Sequence, residues 1–210
     1  MKRWLLACCI APAVAAAHGQ VWHFEARLDD EPIGEHRFEL RGDGTARELR
    51  SQARFTVRLL GIPVYRYRHE AVEHWRGDCL QRLQAQTDDN GDRNQIRLQR
   101  EDGGWQALGE RRAEATDGWP DCLMSFAYWH PAVLKQGQLL NAQTGQLERV
   151  RVERLGEALL PVHGRPTPAV RWRLHTAQQP IDLWLAQTDG AWIGLDSIVA
   201  GGRKLSYRLR

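Results

Sequence analysis

The sequence lacks several features that would assign it to a well-defined class. Beyond the N-terminal segment, no apolar run approaches the roughly 20 residues that a membrane-spanning helix needs. Four cysteines occur in 210 residues, and neither of the two internal ones has the C-x-x-C or C-x-x-H spacing that is typical of a zinc site. We therefore predict no transmembrane helix in the mature chain, no metal and no cofactor.

A strong excess of charge of one sign is also missing. The chain has 29 Lys and Arg residues against 26 Asp and Glu residues, which gives a formal net charge of +3. A domain that binds nucleic acid usually carries a clear basic excess. We therefore expect no nucleic-acid partner.

Local signatures of catalysis are absent as well. The sequence contains no G-x-S-x-G, no H-E-x-x-H, no P-loop and no dinucleotide-binding fingerprint. Many active sites have no local signature, so this absence leaves open whether the protein is an enzyme.

The N-terminus has the three parts of a secretory signal peptide. Met1–Arg3 is basic, Trp4–Val14 is apolar, and Ala15–Ala17 offers an A-x-A cleavage site. We predict a signal peptide at residues 1–17 and a single β domain at residues 18–210, located in the periplasm or secreted. Secretion is a second argument against a nucleic-acid partner.

The predicted localisation determines the expected state of the cysteines. Cys8 and Cys9 lie within the predicted signal peptide, where acylation of Cys8 is a less favoured alternative to simple cleavage. Cys79 and Cys122 remain as an even pair in an oxidising compartment, which predicts one disulfide. Two separate buried thiols are the alternative.

Most of the remaining sequence alternates between apolar and polar residues, as β-strands do. The clearest case runs from Leu49 to Leu59, and Asp89-Asn90-Gly91 is a strong hairpin turn. About ten to twelve short strands are separated by tight turns, without the spacing of βαβ units. The pattern predicts an all-β antiparallel meander that curls into a barrel or a half-barrel.

One stretch, Trp119 to Lys135, breaks the alternation and is nearly uncharged. Pro120 is suited to begin a short helix and Pro131 to end one. We predict a short helical plug that packs against the apolar face of the sheet, because such a face must be covered.

Two histidine clusters are candidates for acid–base chemistry. His69 and Glu73 share one strand face but lie about 13 Å apart along it, so we favour the alternative that His69 bonds a neighbouring strand and Glu73 pairs with an arginine. Ser125 and His130 form the second cluster. There we favour the alternative that His130 interacts with carbonyls at a helix C-terminus.

Aromatic residues dominate the same two regions and predict a pocket for an apolar ligand. Core filling is the alternative. The candidate ligand-binding residues are Phe55, Tyr65, Tyr67, His69, Glu73 and Trp75 on the strands, and Phe126, Tyr128, Trp129 and His130 in the central stretch.

The polar face of two strands is rich in arginine and predicts possible contact with a membrane surface. It carries Arg50, Arg54, Arg58, Arg66 and Arg68. Anionic lipid headgroups are complementary to such a face. A solvated face on which the arginines pair with acidic residues is the favoured alternative.

Several segments together resemble a known family. They are FEARLDDEPIGEHRFEL from Phe24, IPVYRYRHEAVEHWRGDCL from Ile62, CLMSFAYWHPAVL from Cys122, LLNAQTGQ from Leu139, and the terminal GGRKLSYRLR. They are similar to a secreted bacterial family described only as a domain of unknown function, family 6134. The resemblance spans nearly all of residues 18–210 and implies a single all-β periplasmic domain, without established catalytic residues. The architecture is similar, more loosely, to lipoprotein-carrier half-barrels and lipocalin-like folds.

These observations predict a periplasmic module that binds a lipid or another apolar small molecule. The alternatives are an enzyme that acts on such a ligand, with His69, Glu73 or His130 in its site, and an envelope scaffold without a ligand. The sequence does not identify the ligand or indicate an oligomeric state.

Overall fold

The computed structural model describes residues 19–102, 104–108, 116 and 118–210. The predicted signal peptide, residues 1–17, therefore lies outside the described residues. Fourteen strands are present in the described part of the chain. They are β1 Gln20–Leu28, β2 Glu31–Gly42, β3 Ala46–Leu59, β4 Ile62–Arg76, β5 Cys79–Asp89, β6 Asp92–Glu101, β7 Gly104–Ala107, β8 Gln138–Leu140, β9 Leu147–Arg149, β10 Arg151–Val162, β11 Arg165–His175, β12 Ile181–Ala186, β13 Trp192–Val199 and β14 Arg203–Leu209.

Twelve of these strands form one antiparallel sheet in the order β10-β11-β12-β13-β14-β1-β2-β3-β4-β5-β6-β7. It consists of two meanders of consecutive hairpins, β1–β7 and β10–β14, which join where β1 pairs with β14. The prediction of an all-β antiparallel meander is confirmed. The sheet is open, with β7 and β10 at its two edges. Among the described residues, no helix is both long enough and apolar enough to cross a membrane.

The first meander shows the alternation that its sequence predicts. In β3, Leu49, Ser51, Ala53 and Phe55 are buried, while Arg50, Gln52 and Arg54 between them are exposed. Residues two apart point to the same face, so these side chains define an inner face that faces the rest of the protein. The other, outer face of β3 and β4 is solvated and carries the predicted row of arginines.

The core is centred on the junction of the two meanders. Phe24 of β1 is fully buried and lies 4.4 Å from the ring of Trp192 on β13 and 6.1 Å from that of Tyr207 on β14. Aromatic pairs at such distances contribute beyond the area that they bury. The junction is therefore fixed by side-chain packing as well as by the β1–β14 ladder.

In the second meander, β12 and β13 bury both of their faces. Leu183 and Leu195 face the main core, while Trp184 and Ile193 belong to a second cluster with Leu160 of β10 on the other side. Gly194 of β13 permits this contact, because a Cβ atom there would lie 2.7 Å from the side chain of Leu160. The β10–β11 hairpin thus covers the outer face of β12 and β13.

The central segment, residues 118–150, packs on the inner face and is held by backbone hydrogen bonds. Leu80 N–H donates to Leu123 at 2.8 Å, and Leu140 N–H donates to Met124 at 2.8 Å. The segment also contains the small two-stranded sheet of β8 and β9. Leu123 and its neighbours thereby enter the main core.

The predicted helix lies elsewhere than expected. Pro131 does not end a helix but begins a 3-10 helix, Pro131–Lys135, and no helix begins at Pro120. Proline is favoured at the first helical position because the amide that it lacks has no intrahelical acceptor there. The residues before it instead place their backbone groups on β5 and β8.

The predicted disulfide between Cys79 and Cys122 is present, with a Cα–Cα distance of 4.7 Å. It joins the start of β5 to the central segment. The alternative of two separate thiols is therefore wrong.

Candidate functional site

The inner face is not completely filled, and it leaves a cavity of about 420 Å³. The first meander and the central segment supply most of the walls. The loops before β12 and after β13 form the rim. The wall residues from the sheet include His36, Phe38, Leu49, Ser51, His69 and Glu73, those from the central segment include Phe126, Tyr128, Trp129 and Glu148, and the rim includes Thr176, Gln178, Val199 and Ala200.

Glu73 is the most unusual group in this wall, because it is only 5% exposed. Its Oε2 atom accepts hydrogen bonds from Trp75 Nε1 at 3.0 Å and from Ser125 Oγ at 3.1 Å. Burial raises the pKa of the carboxyl to about 7, and the two hydrogen bonds oppose this shift only in part. Glu73 is therefore protonated in a large fraction of molecules at neutral pH.

The two histidines of the wall are neutral at the same pH. His69 Nδ1 lies 2.9 Å from Thr87 Oγ1 on β5, and burial lowers its pKa to about 4. His36 lies 2.7 Å from Ser51 and 3.2 Å from the hydroxyl of Tyr207, and burial, with a smaller effect of His69, lowers its pKa well below the ordinary value. Both rings thus act as fixed hydrogen-bonding groups rather than as charges.

Trp129 adds a hydrogen-bond donor to the wall. Its indole Nε1 is buried and has no acceptor among the described residues. The ring itself packs at 5.6 Å from Trp75 and lies under the guanidinium of Arg47 at 4.8 Å. A buried donor without an acceptor is energetically unfavourable unless something satisfies it.

A family comparison places this arrangement in context. Residues 24–210 match the family model described as "Domain of unknown function (DUF6134)". The chain belongs to this family. The matched region contains every cavity residue named above. A search among curated proteins finds no match.

Within this DUF6134 domain, half of the predicted ligand-binding residues lie in the cavity wall. They are His69, Glu73, Phe126, Tyr128 and Trp129. The other five are Phe55, Tyr65, Tyr67, Trp75 and His130.

The five that lie outside the wall have structural contacts instead. Phe55 and Tyr67 stack on each other at 5.3 Å within the core, and Trp75 supports Glu73. Tyr65 is only partly buried, and its hydroxyl bonds Asp89. Phe55, Tyr67 and Trp75 each contact a residue of the wall, namely His36, His69 and Glu73 respectively.

His130 has a different role from the one expected. It does not lie at a helix C-terminus but precedes the 3-10 helix, where its Nδ1 accepts from Ala132 N–H at 3.1 Å. Its Nε2 lies 2.9 Å from Arg47 and 3.2 Å from Asp78. Burial and Arg47 lower its pKa, while Asp78 opposes that shift.

The expectations for His69 and Glu73 have opposite outcomes. His69 bonds a neighbouring strand, as predicted. Glu73 does not pair with an arginine; it is held by Trp75 and Ser125, because its position faces the core and the arginines of β4 face outward.

Sequence reasoning did not select His36 or Ser51. His36 lies two residues from Phe38, and Ser51 lies two residues from Leu49. Residues two apart on a strand point to the same face, so the sequence did indicate that both side chains point inward. Nothing in the sequence indicated that these strands would lie against the cavity. The rim residues carry no local signal at all.

The candidate catalytic groups of this DUF6134 domain are held by separate hydrogen bonds. Ser125 is 1% exposed, and its hydroxyl donates to Glu73 rather than to a histidine. His69 and Glu73 do not bond each other: His69 bonds Thr87, and Glu73 accepts from Trp75. A nucleophile needs access to substrate as well as an adjacent base; Ser125 is buried, and the group beside it is the partly protonated carboxyl of Glu73 rather than a histidine.

Proposed function

We propose that this protein binds an apolar small molecule that carries an uncharged hydrogen-bond acceptor, such as a lipid ester. The observation that carries the proposal is the cavity of about 420 Å³ with apolar walls and neutral polar groups. Small-molecule pockets have volumes of roughly 300–1,000 Å³ and combine apolar walls with a few placed polar groups. The curled sheet would then act as a half-barrel around the ligand.

The polarity of the cavity argues against an anionic ligand. Its described lining contains no lysine or arginine, and Glu148 adds negative charge beside Asn141. His36 and His69 are neutral, and Glu73 is partly protonated. An anionic head group would therefore lack a counter-charge, and burial of an unpaired charge is strongly unfavourable.

The donor groups define the complementary part of the ligand. The indole N–H of Trp129 has no acceptor among the described residues, and protonated Glu73 supplies a second donor in the same wall. A carbonyl or ether oxygen would satisfy these donors, while Phe38 and Leu49 would contact the apolar part. The disulfide is compatible with the proposed periplasmic or secreted location.

Competition for a fluorescent apolar probe tests this proposal. N-phenyl-1-naphthylamine would be bound first and then displaced by a fatty-acid methyl ester or by the free acid of equal chain length. At pH 7.5 we expect the ester to compete more strongly than the acid. Absence of saturable probe uptake, or stronger competition by the acid, would contradict the proposal.

The Trp129→Phe variant tests the role of the donor, since it removes the N–H and keeps an aromatic ring. We expect about fivefold weaker ester binding, because one neutral hydrogen bond contributes about 1 kcal/mol. Trp105→Phe is the matched control, since Trp105 donates to Pro120 and is not part of the cavity wall. Equal effects of the two variants would exclude Trp129 as a ligand contact.

A further inference from the structure

The hairpin between β3 and β4 ends in an exposed apolar tip. Leu60 is 95% exposed, and its neighbours Leu59, Ile62 and Val64 are 64%, 66% and 51% exposed. Single exposed apolar residues are ordinary, but a contiguous group of them marks an interaction site. We call Leu59–Val64 the apolar tip.

The backbone of the tip makes this composition more unusual. Leu60 and Gly61 form the two-residue turn and both have positive φ, 51° and 81°. The β5–β6 turn has the same geometry with Asn90 and Gly91, φ 52° and 98°, and Asn-Gly is the pair that such turns favour. A leucine is disfavoured at that backbone position. Neither the turn geometry nor contact with water explains Leu60.

The tip also extends beyond the sheet. The last pair between β2 and β3 is Gly34 with Phe55, and the last pair between β4 and β5 is Tyr67 with Asp89. Beyond those pairs only β3 and β4 continue, and they pair with each other alone. At about 3.4 Å per residue this two-stranded extension is on the order of 15 Å long. A two-stranded hairpin by itself is marginally stable in water.

Arginines surround the base of the tip. Arg54 and Arg68 are directly opposed on β3 and β4, a like-charge pairing that is unfavourable in isolation. Arg58 and Arg66 lie nearer the tip, and both are exposed. Glu70 lies 3.8 Å from Arg54, and Asp88 of β5 is directly opposite Arg68. Arg58 and Arg66, nearer the tip, have no ion pair with an acidic side chain among the described residues.

The tip lies at the same end of the sheet as the cavity rim. In an antiparallel meander the β1–β2, β3–β4 and β13–β14 connections share one end, and the pairing of Leu28 with Leu205 places the β13–β14 turn there. Val199 and Ala200 of the cavity rim precede that turn. The β1–β2 turn at this end is acidic, but Asp29 is paired with Arg203.

From these features we propose that the apolar tip inserts into the surface of an anionic lipid bilayer, with the surrounding arginines on lipid phosphates. Apolar side chains that enter the headgroup region beside basic residues are the general form of interfacial binding, and each basic residue adds to the attraction for anionic lipid. Docking in this way would turn the cavity rim toward the membrane, and that last step rests on the proposed function.

Co-sedimentation with lipid vesicles tests the docking. Vesicles of phosphatidylcholine with about 30 mol% phosphatidylglycerol would be compared with pure phosphatidylcholine at low and at moderate salt. We expect binding to the anionic vesicles that weakens with salt, since the charge attraction is screened within about 8–10 Å.

The decisive variant is Leu60→Asn, because it separates docking from stability. We expect about tenfold weaker vesicle binding, as the transfer of one leucine side chain from water predicts. The thermal midpoint is expected to be unchanged or raised, since asparagine suits positive φ better than leucine. Leu159→Asn is the control, because Leu159 of β10 is 65% exposed and lies away from the tip; it should bind as the original protein does.

Three results would overturn the proposal. They are no binding to anionic vesicles at low salt, equal effects of Leu60→Asn and Leu159→Asn, and a dimer in sedimentation velocity that Leu60→Asn converts to a monomer. The last would assign the tip to self-association. Probe uptake in the absence of vesicles is measured separately, so the docking proposal and the ligand proposal can fail independently.

Discussion

The two meanders bury their carboxylates on opposite faces and in opposite charge states. In the first, Glu73 points inward to the cavity and is partly protonated, with two neutral donors as partners. In the second, Asp182 points outward and is held by Arg171 and Arg173, the latter at 2.6 Å. A buried carboxylate is thus stabilised either by a proton or by a counter-charge. The first choice limits the negative charge on the part of the cavity wall that the sheet supplies.

Removal of Asp182 is expected to have the largest effect on stability. Asp182→Ala leaves two arginines without their partner beside a buried site, and the loss of one member of a buried pair costs about 3–5 kcal/mol. Urea unfolding measures the change. Glu70→Ala is the control on the exposed outer face of the first meander, where we expect less than about 1 kcal/mol. If Asp182→Ala and Glu70→Ala lowered the unfolding free energy equally, the ion pairs of Asp182 would be no stronger than those of an exposed surface.

Removal of the disulfide is expected to have the next largest effect on stability, because it links the central segment to β5 of the first meander. Its cysteines are 43 residues apart, and closing such a loop contributes about 4 kcal/mol in the chain-entropy model, with measured values often nearer 2. We expect Cys79→Ser with Cys122→Ser to lower the unfolding free energy by that amount. Reductant should destabilise the original protein and leave the double variant unchanged. A stabilising effect of the double substitution would contradict this.

The most gradual effect is a pH dependence that separates the two carboxylates. The folded pKa of Glu73 is raised from 4.5 to about 7, so its stabilising contribution is complete below pH 4.5 and is lost as the pH rises to 7. Burial acts to raise the pKa of Asp182, but its two arginines hold it below the usual value. Its contribution is therefore present above pH 3.8 and is lost as the pH falls.

Glu73→Gln isolates the first of these contributions. The difference in unfolding free energy between variant and original protein should grow by at most about 1.4 kcal/mol per pH unit from pH 4.5 to 7 and then level off. His36 and His69 titrate in both proteins, so their opposite contributions cancel in the difference. A difference that is flat with pH would show that Glu73 is ionised throughout.

The first meander was predictable from the sequence to the level of individual faces. Its outer face is solvated, so polar residues occupy alternate positions and the alternation of β3 identifies Leu49 and Phe55 as buried. In the second meander, β11 and β14 alternate and were readable in the same way, but β12 and β13 were not, since they are buried on both sides and their sequences run almost continuously apolar. Alternation carries no information where both faces are covered.

The cavity was predictable only in part, for a related reason. Glu73 and Trp129 were identified because each lies in an aromatic cluster that is visible locally. His36 and the rim around Ala200 come from distant parts of the chain, and only the long-range pairing of β1 with β14 brings them to one site. The position of the helix also depended on tertiary hydrogen bonds that the two prolines alone do not determine.

The pairing of β1 with β14 has a consequence for the order of folding. The other described ladders of the large sheet join strands that follow one another in sequence, so they can form as local hairpins on a fast timescale. The β1–β14 ladder pairs Phe24 with Leu209 and must close almost the whole chain, which is slow for entropic reasons. A nascent chain without its last strand would hold two separate meanders with unpaired inner edges. We therefore expect formation of the β1–β14 ladder to be the late step of folding.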